Sequence, residues 1–466
     1  MIYAPRDSAR AIMRRGAPHG RTPLTVLVGL WLCVFGFCFP IYGYTLPGLF
    51  KVTAWRLGVC VMVPFAVLKV QHCRERRAAW LVGLFICFTV VRILSLLTLT
   101  DASAGSQQIT WFIEGTLFLI SCTIFSRAYG DFIKRYLIVV FVLGSLSIAV
   151  MVIQMIALSF GQLLALPWSQ TQFGFPAELL PWTYPVGGGG RILGAFLEPN
   201  MSGSMCAFFV AMFLPFVVQR RPGVVSNRVL LAGMLLLSAV ALIGTGSRQS
   251  GLAAAGCVLA TAFYSAAKRR MGRAVALTCV LIAMGVGVAA TADPERLAVL
   301  TPFGTVQQTV GVRFSDEGTA GTITAGRWEQ IQFILETMDA HTLAVGVGEG
   351  LGNHGAHNAY LITLQEVGLV GTLLLVVMSA ALVMWPMTVV RSRAPALIVA
   401  DGQAGLNISA MWVFFLFVNW AQLNQSISYL YLAFTFMMIA SYGSMVLQSP
   451  RTTRTPRSYS SARVEM

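Results

Sequence analysis

Residues 346–390 read GVGEGLGNHGAHNAYLITLQEVGLVGTLLLVVMSAALVMWPMTVV. A glycine-rich lead carries His354 and His357, two of only five histidines in the chain. It runs without pause into an apolar stretch over 357–390, with a break expected near Pro386. About 20 apolar residues cross the hydrocarbon core of a bilayer, so this stretch is long enough to span one. His357 then stands at its mouth, where polar chemistry meets lipid, a suitable place to work on a substrate with a lipid tail.

The rest of the chain repeats this character. Of 466 residues, 56% are hydrophobic and 11% charged, too few charges for a soluble surface. Apolar runs cover 24–43, 53–70, 80–99, 109–126, 136–160, 198–219, 229–246, 249–267, 275–292, 357–390, 404–421 and 427–447. The expected fold is therefore an all-α polytopic membrane protein of about 12 transmembrane helices. Pro64 weakens the second run, and the seventh and eighth are nearly continuous. A basic amino terminus (1–23) precedes helices 1–5 (24–160), a loop (161–197), helices 6–9 (198–292), a large loop (293–356), helices 10–12 (357–447) and a tail (448–466). The first run lacks a small-residue cleavage site and reads as a retained anchor. The tail is rich in Ser, Thr and Arg and reads as disordered.

A net charge of +15 invites a nucleic-acid partner, but its distribution argues for topology instead. With the amino terminus in the cytoplasm, all but eight of the 33 Lys and Arg fall on the inner side. The exceptions are Lys51, Arg56, Arg92, Arg191, Arg248, Arg296, Arg313 and Arg327. Both termini are then cytoplasmic and no nucleic acid is needed. The outer loop over 161–197 holds four prolines and the aromatics Trp168, Phe173, Phe175, Trp182 and Tyr184, which favour the interface, so it is expected on the lipid surface. The larger outer loop carries eight acids against three arginines, and 327–338 has the periodicity of an amphipathic helix.

Orientation signals belong inside, so an outer arginine needs another reason. Arg191 follows four glycines, Arg248 sits in the turn GTGSRQSG, and Arg327 lies in the long loop. A guanidinium is a planar, permanent partner for phosphate oxygens, and a diphosphate at the lipid surface would use several. Singly, each could instead snorkel or pair with an acid. A neutral imidazole can take a proton from a sugar hydroxyl, although a histidine that merely caps a helix has the same spacing. GVGEGLG has no βαβ surroundings and is no dinucleotide loop; its glycines allow close backbone approach. Arg92 and Glu114, in the third and fourth spans, could pair, since isolated charges there are expensive. Glu198 stands at the mouth of the sixth span in Glu-Pro-Asn, also a good helix start. The nine cysteines show no CxxC spacing and read as small buried hydrophobes.

Taken together, these residues resemble the O-antigen ligase and polymerase superfamily of bacterial membrane glycosyltransferases. RILGAFLEPNMSGSM (191–205) is similar to the family's Arg-x-x-Gly…Pro-Asn lead into a span, and LIGTGSRQSGLAA (242–254) to its Ser-Arg turn. HNAYLITLQEVGLVG (357–371) is similar to the ligase-type His-Asn-x9-Gly-x-x-Gly signature, and GRWEQIQFIL (326–335) resembles the Arg-led segment of the outer loop. The polymerase-type Arg-x10-Gly spacing fails by one at Arg191, where the glycine is Gly203, and fails fully at Arg313 and Arg327. That tilts the likeness toward a ligase.

The resemblance implies a GT-C-like fold in the bacterial inner membrane, with short helices in the large periplasmic loop. It implies transfer of a glycan from an undecaprenyl diphosphate carrier to an acceptor hydroxyl, inverting, with no cofactor and no metal. His357 would be the catalytic base, and Arg191, Arg248 and Arg327 would hold the diphosphate. Glu198, Asn200, Arg313, His354 and Asn358 would support them. Asn353 and His354 form a competing pair, so the choice of His357 rests on the downstream glycines. The acceptor would be lipid A core for a ligase, or a second carrier-linked glycan for a polysaccharide polymerase, and assembly proteins are natural companions. A transporter or flippase of lipid-linked glycans is the alternative outside this class.

Overall fold

The computed structural model of the protein describes residues 20–40, 43–45, 51–72, 76–96, 102–159, 183–186, 189–196, 199–219, 228–269, 336, 343, 346, 358–391, 396–418 and 426–447. Among these residues, eleven α-helices alternate with two short antiparallel ribbons. Helices α1 (Leu24–Cys38) and α2 (Ala54–Lys69) flank the ribbon of β1 (Gly43–Thr45) and β2 (Lys51–Thr53). Then come α3 (Arg76–Leu96), α4 (Ala102–Ala128) and α5 (Phe132–Ser159). A second ribbon, β3 (Thr183–Val186) with β4 (Gly189–Ile192), leads to α6 (Pro199–Gln219), α7 (Arg228–Thr245) and α8 (Arg248–Arg269). The last three are α9 (Ala359–Arg391), α10 (Ala396–Val418) and α11 (Ser426–Leu447).

Five of these, α3, α5, α6, α7 and α9, contain segments long and apolar enough to cross a membrane. Helix occupies eleven of the twelve apolar runs seen in the sequence; the ninth, 275–292, lies outside the described residues, as does the tail over 448–466. Within the large loop over 293–356 only Glu336, Leu343 and Gly346 are described, the first two of them helical. Pro64 sits inside an unbroken α2, and the nearly continuous seventh and eighth runs part at Gly246, where φ is 60°.

The core is built where helices carry small residues. A Cβ on Gly36 would stand 2.5 Å from the Trp55 backbone nitrogen, and one on Gly58 2.6 Å from that of Cys33, so α1 and α2 meet backbone to backbone. Gly115 of α4 receives the Tyr429 ring of α11, and Gly405 of α10 receives Met438. Helices α6, α10 and α11 form the centre: 78% of the apolar window of α6 is buried, against 28% for α7 on the rim. α6 and α10 run antiparallel, as the Phe208–Phe415 ring pair (5.5 Å) and the Asn407 Nδ2 contact with the Ala211 carbonyl (3.4 Å) require.

Polar groups in this apolar setting are tied to one another. Asn407 donates to Thr261 Oγ1 (2.9 Å) and accepts from Gln403 (2.9 Å), so one side chain links α8 to α10 while its second contact reaches α6. Interhelical hydrogen bonds of this kind contribute about 0.6 kcal/mol each on average. Cys33, Cys38, Cys122, Cys206 and Cys257 are buried thiols, whereas Cys60 and Cys87 lie on the outer faces of their helices, against the expectation that all are buried.

One expectation is corrected. Arg92 does not pair with Glu114: its Nη2 lies 2.7 Å from Glu366 Oε2 of α9, while Glu114 meets Arg56 (2.8 Å) and the Trp55 indole (2.8 Å). α2 lies against α4 and satisfies Glu114 first. The proline- and aromatic-rich part of the loop over 161–197, expected on the lipid surface, lies outside the described residues up to Thr183; its last described residues, Ile192 to Phe196, are buried.

At the end where α1 begins, the Thr22 backbone and hydroxyl both donate to Asp131 Oδ1 (2.9 and 2.7 Å), and Arg135 donates to Oδ2 (2.7 Å). Partial burial pushes the Asp131 carboxyl up, but the hydrogen bonds from Arg135 and Thr22 and the Arg135 charge outweigh it and hold it below the usual carboxylate range. A depressed carboxylate stabilises the fold above its unfolded pKa of about 3.9 and loses that contribution as pH falls through the folded value. Asp131→Asn is expected to cost about 1 kcal/mol at neutral pH, and the gap from wild type to close at acid pH. Unfolding in detergent followed against pH measures both.

Candidate functional site

Arg191 lies in β4, opposite Tyr184 in the ribbon. The chain then enters the bundle through a fixed turn. Gly194, at φ 63°, donates its N–H to Gln154 Oε1 (2.9 Å), and its carbonyl accepts from Gln154 Nε2 (3.3 Å). A Cβ there would meet the Met151 side chain at 2.6 Å. Ser202 of α6 donates to the Leu193 carbonyl, closing the turn from the other side. Asn200 stands half-buried in the first turn of α6, its carbonyl accepting from Ser204 (2.8 Å). The glycine of Arg-x-x-Gly is thus the residue that takes the left-handed conformation at this bend.

The Ser-Arg turn abuts the same place. After α7 ends at Thr245, left-handed Gly246 redirects the chain, Ser247 accepts the Gly251 N–H (3.0 Å), and Arg248 opens α8. The Ser247 and Ser250 hydroxyls are 2.9 Å apart. Gly203 of α6 faces them so closely that a Cβ would stand 2.7 Å from Ser247 Cβ. Ile192, next to Arg191, packs over Gly244 at the end of α7. The backbones of Arg191 and Arg248 therefore both border the first turns of α6.

The third segment holds the largest departure from expectation. α9 does not break at Pro386. Its backbone leaves the helix at Gly368, with φ 69° and ψ −167°, a region essentially closed to other residues. Beyond that point the chain reverses. The Tyr360 hydroxyl donates to Ser379 Oγ at 2.9 Å across 19 residues, a separation that a straight helix would stretch to about 28 Å. A Cβ on Gly371 would likewise lie 3.6 Å from Thr363 Cγ2 and 2.6 Å from Val367 Cγ1. Residues 359–367 consequently lie back along residues 369–379 as a helical hairpin. Gly368 makes the turn, and Gly371 gives the returning limb room. Gly346, at φ 81°, caps the reversal, since its Cβ would stand 2.3 Å from the Glu366 carbonyl oxygen.

Asn358 is the N-cap of the returning limb: Oδ1 accepts from the Tyr360 and Leu361 N–H groups (3.0 and 3.2 Å). Tyr360 packs on Phe417 near the end of α10, with ring centroids 4.7 Å apart. Because α10 ends where α6 begins, Arg191, Arg248, Asn200 and Asn358 gather toward one end of the bundle. The side chains of Arg191 and Arg248 lie outside the described residues, as do Glu198, Arg313, Arg327, His354 and His357 altogether. The residue that sequence reasoning missed is Glu366. Its signal was a carboxylate at Gln365-Glu366 in an otherwise apolar run, two positions before the signature glycine.

A methyl at the reversal has no allowed conformation, so Gly368→Ala is expected to destabilise the protein by about 1–3 kcal/mol. Gly256 of α8 has open space around it, and Gly256→Ala should be neutral or slightly stabilising. Paired thermal unfolding curves in the same detergent test the contrast.

No protein-family model matches the chain, and no curated protein sequence matches it significantly.

Proposed function

We propose that the protein is a polytopic glycosyltransferase of about twelve spans and GT-C-like architecture in a bacterial inner membrane. It moves a glycan from an undecaprenyl diphosphate carrier to an acceptor hydroxyl at the periplasmic face, in the manner of an O-antigen ligase. The observation that carries this reading is the meeting of two arginine-bearing segments at the first turns of α6, with Tyr360 of the histidine-asparagine limb packed on Phe417 near the same end. The opposite end, where α1, α3, α5 and α7 begin, carries Arg76, Arg77, Arg127, Lys134, Arg135, Arg228 and Arg391. By the positive-inside rule that end is cytoplasmic, and the gathered segments face outward.

In this mechanism the acceptor oxygen forms a bond to the anomeric carbon as the bond from that carbon to the diphosphate oxygen breaks. The acceptor proton passes to His357. The electron pair leaves with the carrier diphosphate, whose charge Arg191, Arg248 and Arg327 hold. Preorganised donors aimed at developing charge contribute roughly 2.7–4 kcal/mol each by analogy with oxyanion sites, and general-base work adds on the order of 10²–10⁴-fold. Glu198, Asn200, Arg313 and His354 would support these groups, whereas Asn358 serves as a helix cap. The glycine at position 203, one beyond the polymerase-type spacing from Arg191, favours a ligase over a polymerase.

Reconstitution with a defined undecaprenyl diphosphate oligosaccharide and a lipid A core acceptor tests the proposal. Transfer is expected from the wild type, with His357→Ala and Arg248→Ala each reducing it on the order of 10²-fold or more while expression and membrane insertion persist. Transport of intact donor with no new glycosidic bond would overturn it, and extension of one carrier-linked glycan by another would move the assignment to a polymerase.

A further inference from the structure

Arg92 is completely buried, one turn on from buried Phe88 and Thr89 of the same helix. Its guanidinium lies against three elements. Nη2 is 2.7 Å from Glu366 Oε2, the guanidinium carbon is 4.8 Å from the centre of the Phe112 ring, and Tyr429 of α11 is close enough to feel its charge. Nε and Nη1 have no hydrogen-bond partner among the described residues. An arrangement that leaves donors unspent is a poor way to gain stability. A buried ion pair is commonly worth no more than well-packed apolar side chains of equal volume, and its best-attested use is to select one register.

The register at stake is visible. Glu366 stands two residues before the reversal at Gly368, on the returning limb of α9. That limb, Ala359–Val367, is short and cannot hold its place by helix propensity alone. It is fastened at two points: near its free end by Tyr360 to Ser379 and Phe417, and near the turn by Glu366 to Arg92 of α3. Only the second fastening comes from a helix other than α9 and α10, and only it is specific in charge. The free end opens onto Asn358 and, one residue earlier in sequence, His357.

We infer that Arg92 is a positioning residue: through Glu366 it locks the returning limb of α9 against α3 and so fixes where the His357-Asn358 pair is presented. The consequence for turnover rests on the glycosyltransferase reading; the consequence for the limb does not. Loss of the lock lets the limb shift along 369–379 while the two long helices stay packed. A displacement near 1 Å at a catalytic group can cost about 10²-fold in rate.

The test is hydrogen exchange on the full-length protein in nanodiscs, comparing wild type with Arg92→Met, Glu366→Gln and the exchanged pair Arg92→Glu/Glu366→Arg. Exchange is expected to accelerate in 359–367 and not in 372–391 for Arg92→Met, to a smaller degree for Glu366→Gln, and to return toward wild type in the exchanged pair. In parallel, glycan transfer by Arg92→Met should fall about 10²-fold in kcat with KM for the donor little changed. Unaltered exchange in 359–367, or uniform loss of protection along α9, overturns the lock whatever the activity does. Should Arg92→Met fail to fold, Glu366→Gln and the exchanged pair decide it by the same limb-specific criterion. A wild type that transfers no glycan sinks the functional reading and leaves the exchange result to stand on its own.

Discussion

A helix that turns back inside an apolar bundle must give up ladder hydrogen bonds at the turn and force two backbones into contact. The structure meets that demand with three glycines. Gly368 adopts a conformation closed to side chains, Gly371 lets the returning limb lie flat, and Gly346 closes over the carbonyl exposed by the reversal. The placement of Asn358, of Tyr360 and of Glu366 all follows from this turn. Without it, α9 would be a single long rod, its first residues would lie far from Ser379, and Arg92 would face no carboxylate.

Around the turn, the bundle is assembled by close approach more than by bulk. Gly36 and Gly58 bring α1 and α2 to backbone contact, while the Asn407 amide, held by Gln403 of its own helix, joins α10 to the Thr261 hydroxyl of α8. In a lipid-like setting packing and internal hydrogen bonds supply what water-driven collapse supplies elsewhere. The same economy appears at the two arginine-bearing segments. Gln154 satisfies both backbone groups of Gly194, and the Ser247 and Ser250 hydroxyls satisfy each other against Gly203.

Much of this was legible in the residues and some was not. Long apolar runs dictate helices because nothing else hides their backbone polar groups in hydrocarbon, and eleven of the twelve runs are helical where described. The glycines of the His-Asn signature were visible, but not their purpose. Proline is the familiar helix breaker, so the sequence draws attention to Pro386, which removes one donor and leaves α9 running. Glycine breaks nothing by itself; it only permits a turn, and the contacts that the turned limb makes, with Ser379, Phe417 and Arg92, lie far along the chain. For the same reason the partner of Arg92 could not be read: Glu114 was nearer in sequence, yet Arg56 and Trp55 occupy it. The two ribbons escaped notice because three- and four-residue strands carry almost no periodicity.

Helices α7 and α8 are joined by a tight turn, yet they touch each other little and lean on opposite sides of α6, one toward α5 and the other toward α10. With β4 seated over the end of α7, the segments bearing Arg191 and Arg248 share a single foundation. Both segments border the first turns of α6, like two fittings on one beam, the first through Leu193 and Ser202 and the second through Ser247 and Gly203. The backbone spacing of those two segments is thereby set jointly by α6 and α7, with Gln154 of α5 holding the first of them at Gly194.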